Sequence, residues 1–153
     1  MESGKKAIIL YILQILRKYS DAYHTMTQQQ IADKLSSDYQ INVDRSTVKR
    51  NVTDLIDAGY DIQYNEVIRT YINRKTGEKE ENIIYTDLYY QHDFTPSELR
   101  MLIDGLLFSR SVPYKQRRQL INKLGKLSSS YFDQRISHMH CMSPDSPQNP
   151  ELF

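Results

Sequence analysis

The spacing of apolar residues changes character near Gly59, and that change constrains the fold more than any other feature of the chain. Before Gly59 the apolar side chains recur at helical intervals. After it come segments rich in Ile, Val, Tyr and Thr, the residues that suit strands. A chain of 153 residues has room for one domain, or for one compact domain with a helical extension. The order points to an α+β class, mainly α with a small β-hairpin.

Residues 5–19 carry Ile8, Ile9, Ile12, Leu13, Ile15, Leu16 and Tyr19. Apolar coverage this wide predicts a helix buried on most of its surface. Thr27 to Gln30 matches a capping box, and Ile31, Ala32 and Leu35 follow on one face. This second helix is expected to be short, ending near Ser36–Ser37. Asp44 suits the N-cap of a third helix, about 44–58, where its negative charge meets the positive helix end. Val48, Val52, Leu55 and Ile56 form its buried stripe, and Gly59 suits the left-handed position that follows.

Three strand candidates come next: Asp61–Tyr64, Val67–Asn73 and Ile83–Leu88. The last two flank a polar run, Arg74 to Glu81, with Gly77 as turn residue. They predict a hairpin over about 67–88 with a long charged tip. Thr95-Pro96-Ser97-Glu98 combines an N-cap, a proline at N1 and a glutamate at N3, a strong helix start. Leucine stripes then predict helices at 95–109 and 114–128. Three segments result: 5–93, a helical segment 94–130, and a tail 131–153. From Ser143 the tail carries Pro144, Pro147 and Pro150 and reads as a linker without a fold of its own.

Helix, short helix, turn, helix and hairpin, in that order, make up a winged helix-turn-helix. Its second helix enters the DNA major groove, and its first crosses the backbone. With Val48, Val52 and Leu55 buried, the third helix is expected to present Arg45, Ser46, Thr47, Lys49 and Arg50. Arginine and lysine reach guanine O6 and N7, and serine and threonine serve phosphate or base. Thr27 and Gln28, opening the short helix, are candidates for phosphate contact. Arg74 and Lys75, with Lys79, are candidates at the wing tip, although Glu78, Glu80 and Glu81 stand beside them and repel phosphate.

Charge supports a local rather than a global argument. The whole chain carries a formal net charge of only +1, which by itself predicts no nucleic-acid partner. Residues 61–94 hold 4 basic and 7 acidic side chains, and residues 95–135 hold 8 and 3. The basic excess therefore lies in the later helices, on Arg110, Lys115, Arg117, Arg118, Lys123 and Lys126, where a solvated face is the simpler account. The longest apolar run, Ala7 to Leu13, is far short of the roughly 18 residues a spanning helix needs. Gln14 interrupts it and no cleavage site follows. One cysteine, Cys141, excludes an intrachain disulfide and suits a reducing compartment. The expectation is a cytoplasmic protein without a membrane anchor.

Three stretches resemble the N-terminal winged helix of WYL-domain transcriptional regulators. They are Thr27-Gln28-Gln29-Gln30-Ile31-Ala32, Val43-Asp44-Arg45-Ser46-Thr47-Val48-Lys49-Arg50, and Leu55-Ile56-Asp57-Ala58-Gly59-Tyr60-Asp61-Ile62. Phe94-Thr95-Pro96-Ser97-Glu98-Leu99 and Leu120-Ile121-Asn122-Lys123-Leu124 are similar to the helical linker of that family. The resemblance covers roughly residues 5–130. It implies a homodimeric transcription factor on double-stranded DNA, with helices 95–109 and 114–128 as linker and dimer contact. Family members often carry an acidic residue where this chain has Asn51 and an aromatic one where it has Lys49. They also continue into a ligand-sensing domain, and nothing like it follows Ser143. An effector is therefore not expected to bind this portion, which reads as an N-terminal part or a short form.

Other chemistry is weakly signalled. His138-Met139-His140-Cys141 has the residue types of a soft metal site, but too few ligands to close one. Lys75-Thr76-Gly77 lacks the first glycine of a phosphate loop. No cofactor is implied, and neither pocket nor reacting group argues for an enzyme. The alternative is a winged-helix module that binds protein through the hairpin or the later helices.

Overall fold

The backbone is described for residues 3–140 of a computed structural model, and side chains for residues 5–136. These residues form six helices and a two-stranded antiparallel hairpin, an α+β fold. They divide into two compact units between Gln91 and His92.

In the first unit, α1 (Ser3–Tyr19) buries Ile12, Ile15 and Leu16 almost completely. α2 (Gln28–Tyr39) begins where the Thr27 hydroxyl accepts the Gln30 N–H and the Gln30 side chain accepts the Thr27 N–H. It runs past Ser36–Ser37 and ends at Gln40, whose left-handed backbone (φ 53°) returns its N–H to Leu35 and Ser36 carbonyls. Tyr39 explains the extra turn. Its ring stacks on Tyr11 with centroids 4.4 Å apart, and its hydroxyl donates to the Gln14 side chain. Contact with α1 thus outweighs the weak helix propensity of the serine pair.

α3 (Arg45–Asp57) is capped by Asp44, whose carboxylate accepts the Thr47 N–H at 2.8 Å and the Ser46 hydroxyl at 2.9 Å. Hydrogen bonds from Thr47, and then from Ser46, hold the Asp44 carboxyl down to about 2 from an ordinary 3.8. The folded state therefore favours the ionised form, and its contribution is present above pH 3.8. The stability difference between wild type and Asp44→Ala is expected to shrink as pH falls from about 4 to about 2. Thermal melts across that range check it, and a constant difference contradicts it. Gly59 follows the helix at φ 102°, in the left-handed region that favours glycine.

The strands are two, not three. β1 (Ile62–Ile72) joins both early candidates, and β2 (Lys79–Tyr90) is longer than expected at each end. Asn65 and Glu66 pair with Thr86 and Tyr85, so the polar dipeptide does not break the strand. One irregularity lies between Gln63 and Asn65. Gln63 faces Tyr89 and Asn65 faces Thr86, so the extra residue is on β2, where Asp87 takes a left-handed φ of 52°. Asn65 donates to the Asp87 carboxylate at 3.1 Å. Leu88 beyond the bulge exchanges backbone hydrogen bonds with Met26, tying β2 to the segment before α2. Lys79, Glu80 and Glu81 belong to the ladder, which shortens the tip to residues 73–78. The core of this unit gathers Ile12 and Leu16, Ile31 and Leu35, Val48 and Val52, and Leu88 from the hairpin.

The second unit contains α4 (Pro96–Leu107), α5 (Tyr114–Gly125) and α6 (Ser130–His140). A capping box at Thr95 and Glu98 opens α4. α6 lies where the sequence suggested only a tail from residue 131. Phe132 and Ile136, one turn apart, complete a core with Leu99, Ile103 and Ile121. Phe132, Ile136 and Met139 recur at i, i+4 and i+7, a helical spacing that is short and stands beside the proline-rich tail. Arg117 is buried, not solvated, and its Nη1 donates to the Leu107 carbonyl at 2.7 Å, at the end of α4. The tail from Ser143 lies outside the described residues.

Candidate nucleic-acid interface

The beginnings of α2 and α3 and the β2 strand converge on Gln28. This side chain is 4% exposed. Its Nε2 donates to the Arg45 carbonyl, and its Oε1 accepts the Tyr85 N–H, both at 3.1 Å. Gln28 is therefore a strut joining both helices to the hairpin, and it is not available to a phosphate. A glutamine at the second residue of a capping box carries no local sign of such a role, because both partners are distant in sequence. Thr27 is exposed, with its hydroxyl oxygen engaged as the α2 cap.

α3 buries Val48, Val52 and Leu55, so its outer face carries Arg45, Ser46 and Arg50, all exposed. Thr47 is half-buried, and its carbonyl accepts the Asn51 side chain at 2.8 Å. Asn51 is thereby turned back on its own helix. Ser46 donates to Asp44, which leaves its oxygen lone pairs outward.

Lys49 departs from expectation. Its Nζ donates to the Ile83 carbonyl on β2 and lies 5.0 Å from the Tyr85 ring centre. Tyr85 in turn packs on Tyr64, 4.2 Å between centroids, and its hydroxyl lies 3.4 Å from Thr53 Oγ1. Lys49 thus braces the wing against α3, where the sequence had placed it facing outward with Arg50. Its position on the helix face was readable from spacing, but the nearness of the hairpin was not.

At the tip, Arg74 and Lys75 are exposed, and the Lys75 N–H bonds the Asn73 side chain at 2.9 Å. Glu80 turns toward Asn73 and Tyr71, which donate to it at 2.8 and 2.7 Å. Those bonds, Asn73's first, hold its carboxyl below its ordinary value. Of the three glutamates expected to oppose phosphate, one is therefore committed to the hairpin.

Between the α2 start, the α3 start and the wing lies a cleft of about 210 Å³. Thr27, Gln28 and Gln29 line one side, Arg45 another, and Val67, Arg69, Ile84, Tyr85 and Thr86 the hairpin side. Arg69 was not singled out by sequence. An arginine within a strand reads as a solvated position, and only the fold sets it beside Arg45. Among the described residues, Arg45, Arg50, Arg69 and Arg74 form no ion pair.

The described residues contain no group of three metal-ligating side chains. The His138–Cys141 side chains lie outside the described residues. No described helix is long and apolar enough to cross a membrane. No family model matches the chain, and comparison with curated proteins and with solved structures finds no match.

Proposed function

We propose that the chain is a DNA-binding transcriptional regulator, or the DNA-binding portion of one. In this reading α3 lies in the major groove and the β1–β2 hairpin is a wing on the backbone or minor groove. One observation carries it: a short helix, a turn and α3 precede an antiparallel hairpin, and the exposed face of α3 carries Arg45 and Arg50. The sequence resemblance to WYL-domain regulators supports the same reading and adds a homodimer, and the single cysteine suits the cytoplasm. Arg45, Ser46 and Arg50 then address base edges and phosphates. Thr27 and the wing tip position the protein along the duplex.

Selection from random duplex DNA, followed by salt titration of the enriched site, tests the proposal. A palindromic site with a steep salt slope, about −0.9 per phosphate neutralised, is the expected result. No enrichment over background sinks it. Arg50→Ala is expected to weaken the enriched site by about 1–3 kcal/mol without moving the melting temperature. Lys49→Ala is expected to do both, since it removes the brace between α3 and Ile83. Identical melting for the two variants contradicts the bracing role.

A second reading is favoured by the hairpin's exposed apolar side chains. Ile68 is 62% and Ile72 64% exposed, on the same face as Ile83. A wing with that surface suits a protein partner. Binding of this kind has a shallow salt slope and survives Arg50→Ala.

A further inference from the structure

We infer that the cleft beside Gln28 seats one phosphodiester of the DNA backbone, gripped from two sides by Arg45 and Arg69. The inference rests on the DNA-binding reading above and adds to it a place and a residue. Arg45 comes from the first turn of α3 and Arg69 from the middle of β1, yet both line one cleft of about 210 Å³. Among the described residues neither forms an ion pair, and the cleft lining contains no aspartate or glutamate. Two arginines lining one small space favour an anion between them. Their forked donors match phosphate oxygens in paired hydrogen bonds. Thr27 and Thr86 offer hydroxyls to the same space, while the Gln29 amide donates to Asp33.

The apolar part of the lining separates a diester from a free phosphate. Val67 and Ile84 are cross-strand partners, and both line the cleft. Inorganic phosphate leaves that pair wet, whereas the sugars flanking a backbone phosphate cover it. A phosphate held there links α3 to the wing through the ligand itself. It fixes the protein's register on the duplex without reading sequence.

The test uses the full chain and fluorescently labelled duplexes, the selected site and an unrelated one, titrated over a range of salt. Arg69→Gln is expected to weaken both duplexes alike, by about tenfold, and to lower the salt slope by about one contact. Lys6→Gln, on the exposed side of α1, removes the same charge elsewhere and is expected to change neither. An Arg69→Gln variant that binds normally, while Arg50→Ala is impaired, overturns the cleft and leaves the DNA reading standing. Equal losses in Arg69→Gln and Lys6→Gln overturn it too, since net charge then explains both. Wild-type protein that binds neither duplex overturns the DNA reading itself. Inorganic phosphate is titrated in parallel, followed by the arginine Nε NMR signals. Saturable shifts that vanish in Arg69→Gln, with an unchanged DNA salt slope, assign the cleft to a small phosphate compound and overturn the backbone claim.

Discussion

Replacing Gln28 with alanine is expected to lower the stability of the first unit by about 2–4 kcal/mol. The figure takes about 1–3 kcal/mol for the Tyr85 N–H left without its acceptor and about 0.5–1.5 kcal/mol for the lost bond to the Arg45 carbonyl, which keeps its partner within α3. Both groups are held by this one side chain. For a unit of this size, about 4–8 °C of melting temperature is lost per kcal/mol, so a fall of about 8–32 °C is expected. Gln28→Glu sharpens the test. It keeps an acceptor for Tyr85 but sets a buried carboxylate against the Arg45 carbonyl, and at neutral pH it is expected to melt no higher than Gln28→Ala. If Gln28→Ala melts within a few degrees of wild type, the strut contributes little, and the wing is held by Lys49 and the apolar core alone. On the DNA-binding reading, Gln28→Ala also weakens DNA at temperatures where the unit remains folded, because α3 and the wing lose their common anchor.

The second large effect is expected at Leu35. This side chain is fully buried, and it packs in the cluster shared by α1, α2, α3 and the hairpin. Leu35→Ala removes three buried carbon atoms and leaves a cavity, with a cost of about 2–5 kcal/mol. Leu35 also supplies the carbonyl that closes α2 against Gln40 and Ile41, so relaxation around the cavity is restrained. Urea titration of the variant measures the loss directly. Leu127→Ala provides the contrast, since Leu127 is 47% exposed and surface truncations usually stay within about 0.5 kcal/mol. Equal losses in the two variants contradict the burial described for Leu35.

Features set by neighbours in sequence were legible before the structure was known. Both capping boxes, the Asp44 cap and the positive φ at Gly59 depend on residues within four positions of each other, and all four are present. The buried stripe of α3 was equally plain, because one helix face is fixed by its own period. What failed to show was set by distant partners. Gln28 and Thr27 looked alike as openers of α2, yet one is a buried strut and the other an exposed cap. Lys49 and Arg50 looked alike as cations on α3, yet a carbonyl of β2 claims one of them. The single strand β1 was split in the sequence reading because Asn65 and Glu66 disfavour strands. The bulge at Asp87 and the Asn65–Asp87 hydrogen bond accommodate them. Phe132 and Ile136 escaped notice because their stripe, continued in the sequence by Met139, spans only two turns beside a proline-rich tail.

The hairpin carries a cost in handling as well as a surface for binding. Among the described residues β1 has a strand neighbour on one side only, so its other edge offers a row of backbone amide groups to any passing chain. Edges of this kind template intermolecular sheets when they are long, flat and apolar. Here eleven residues include exposed Val67, Ile68, Tyr71 and Ile72, and the charges that interrupt them are Glu66 and Arg69. Charges so placed are the kind that guard an edge strand against self-assembly. Neutralising both in one protein is therefore expected to turn concentrated solutions turbid, while the helical content and melting temperature of dilute samples stay as they were.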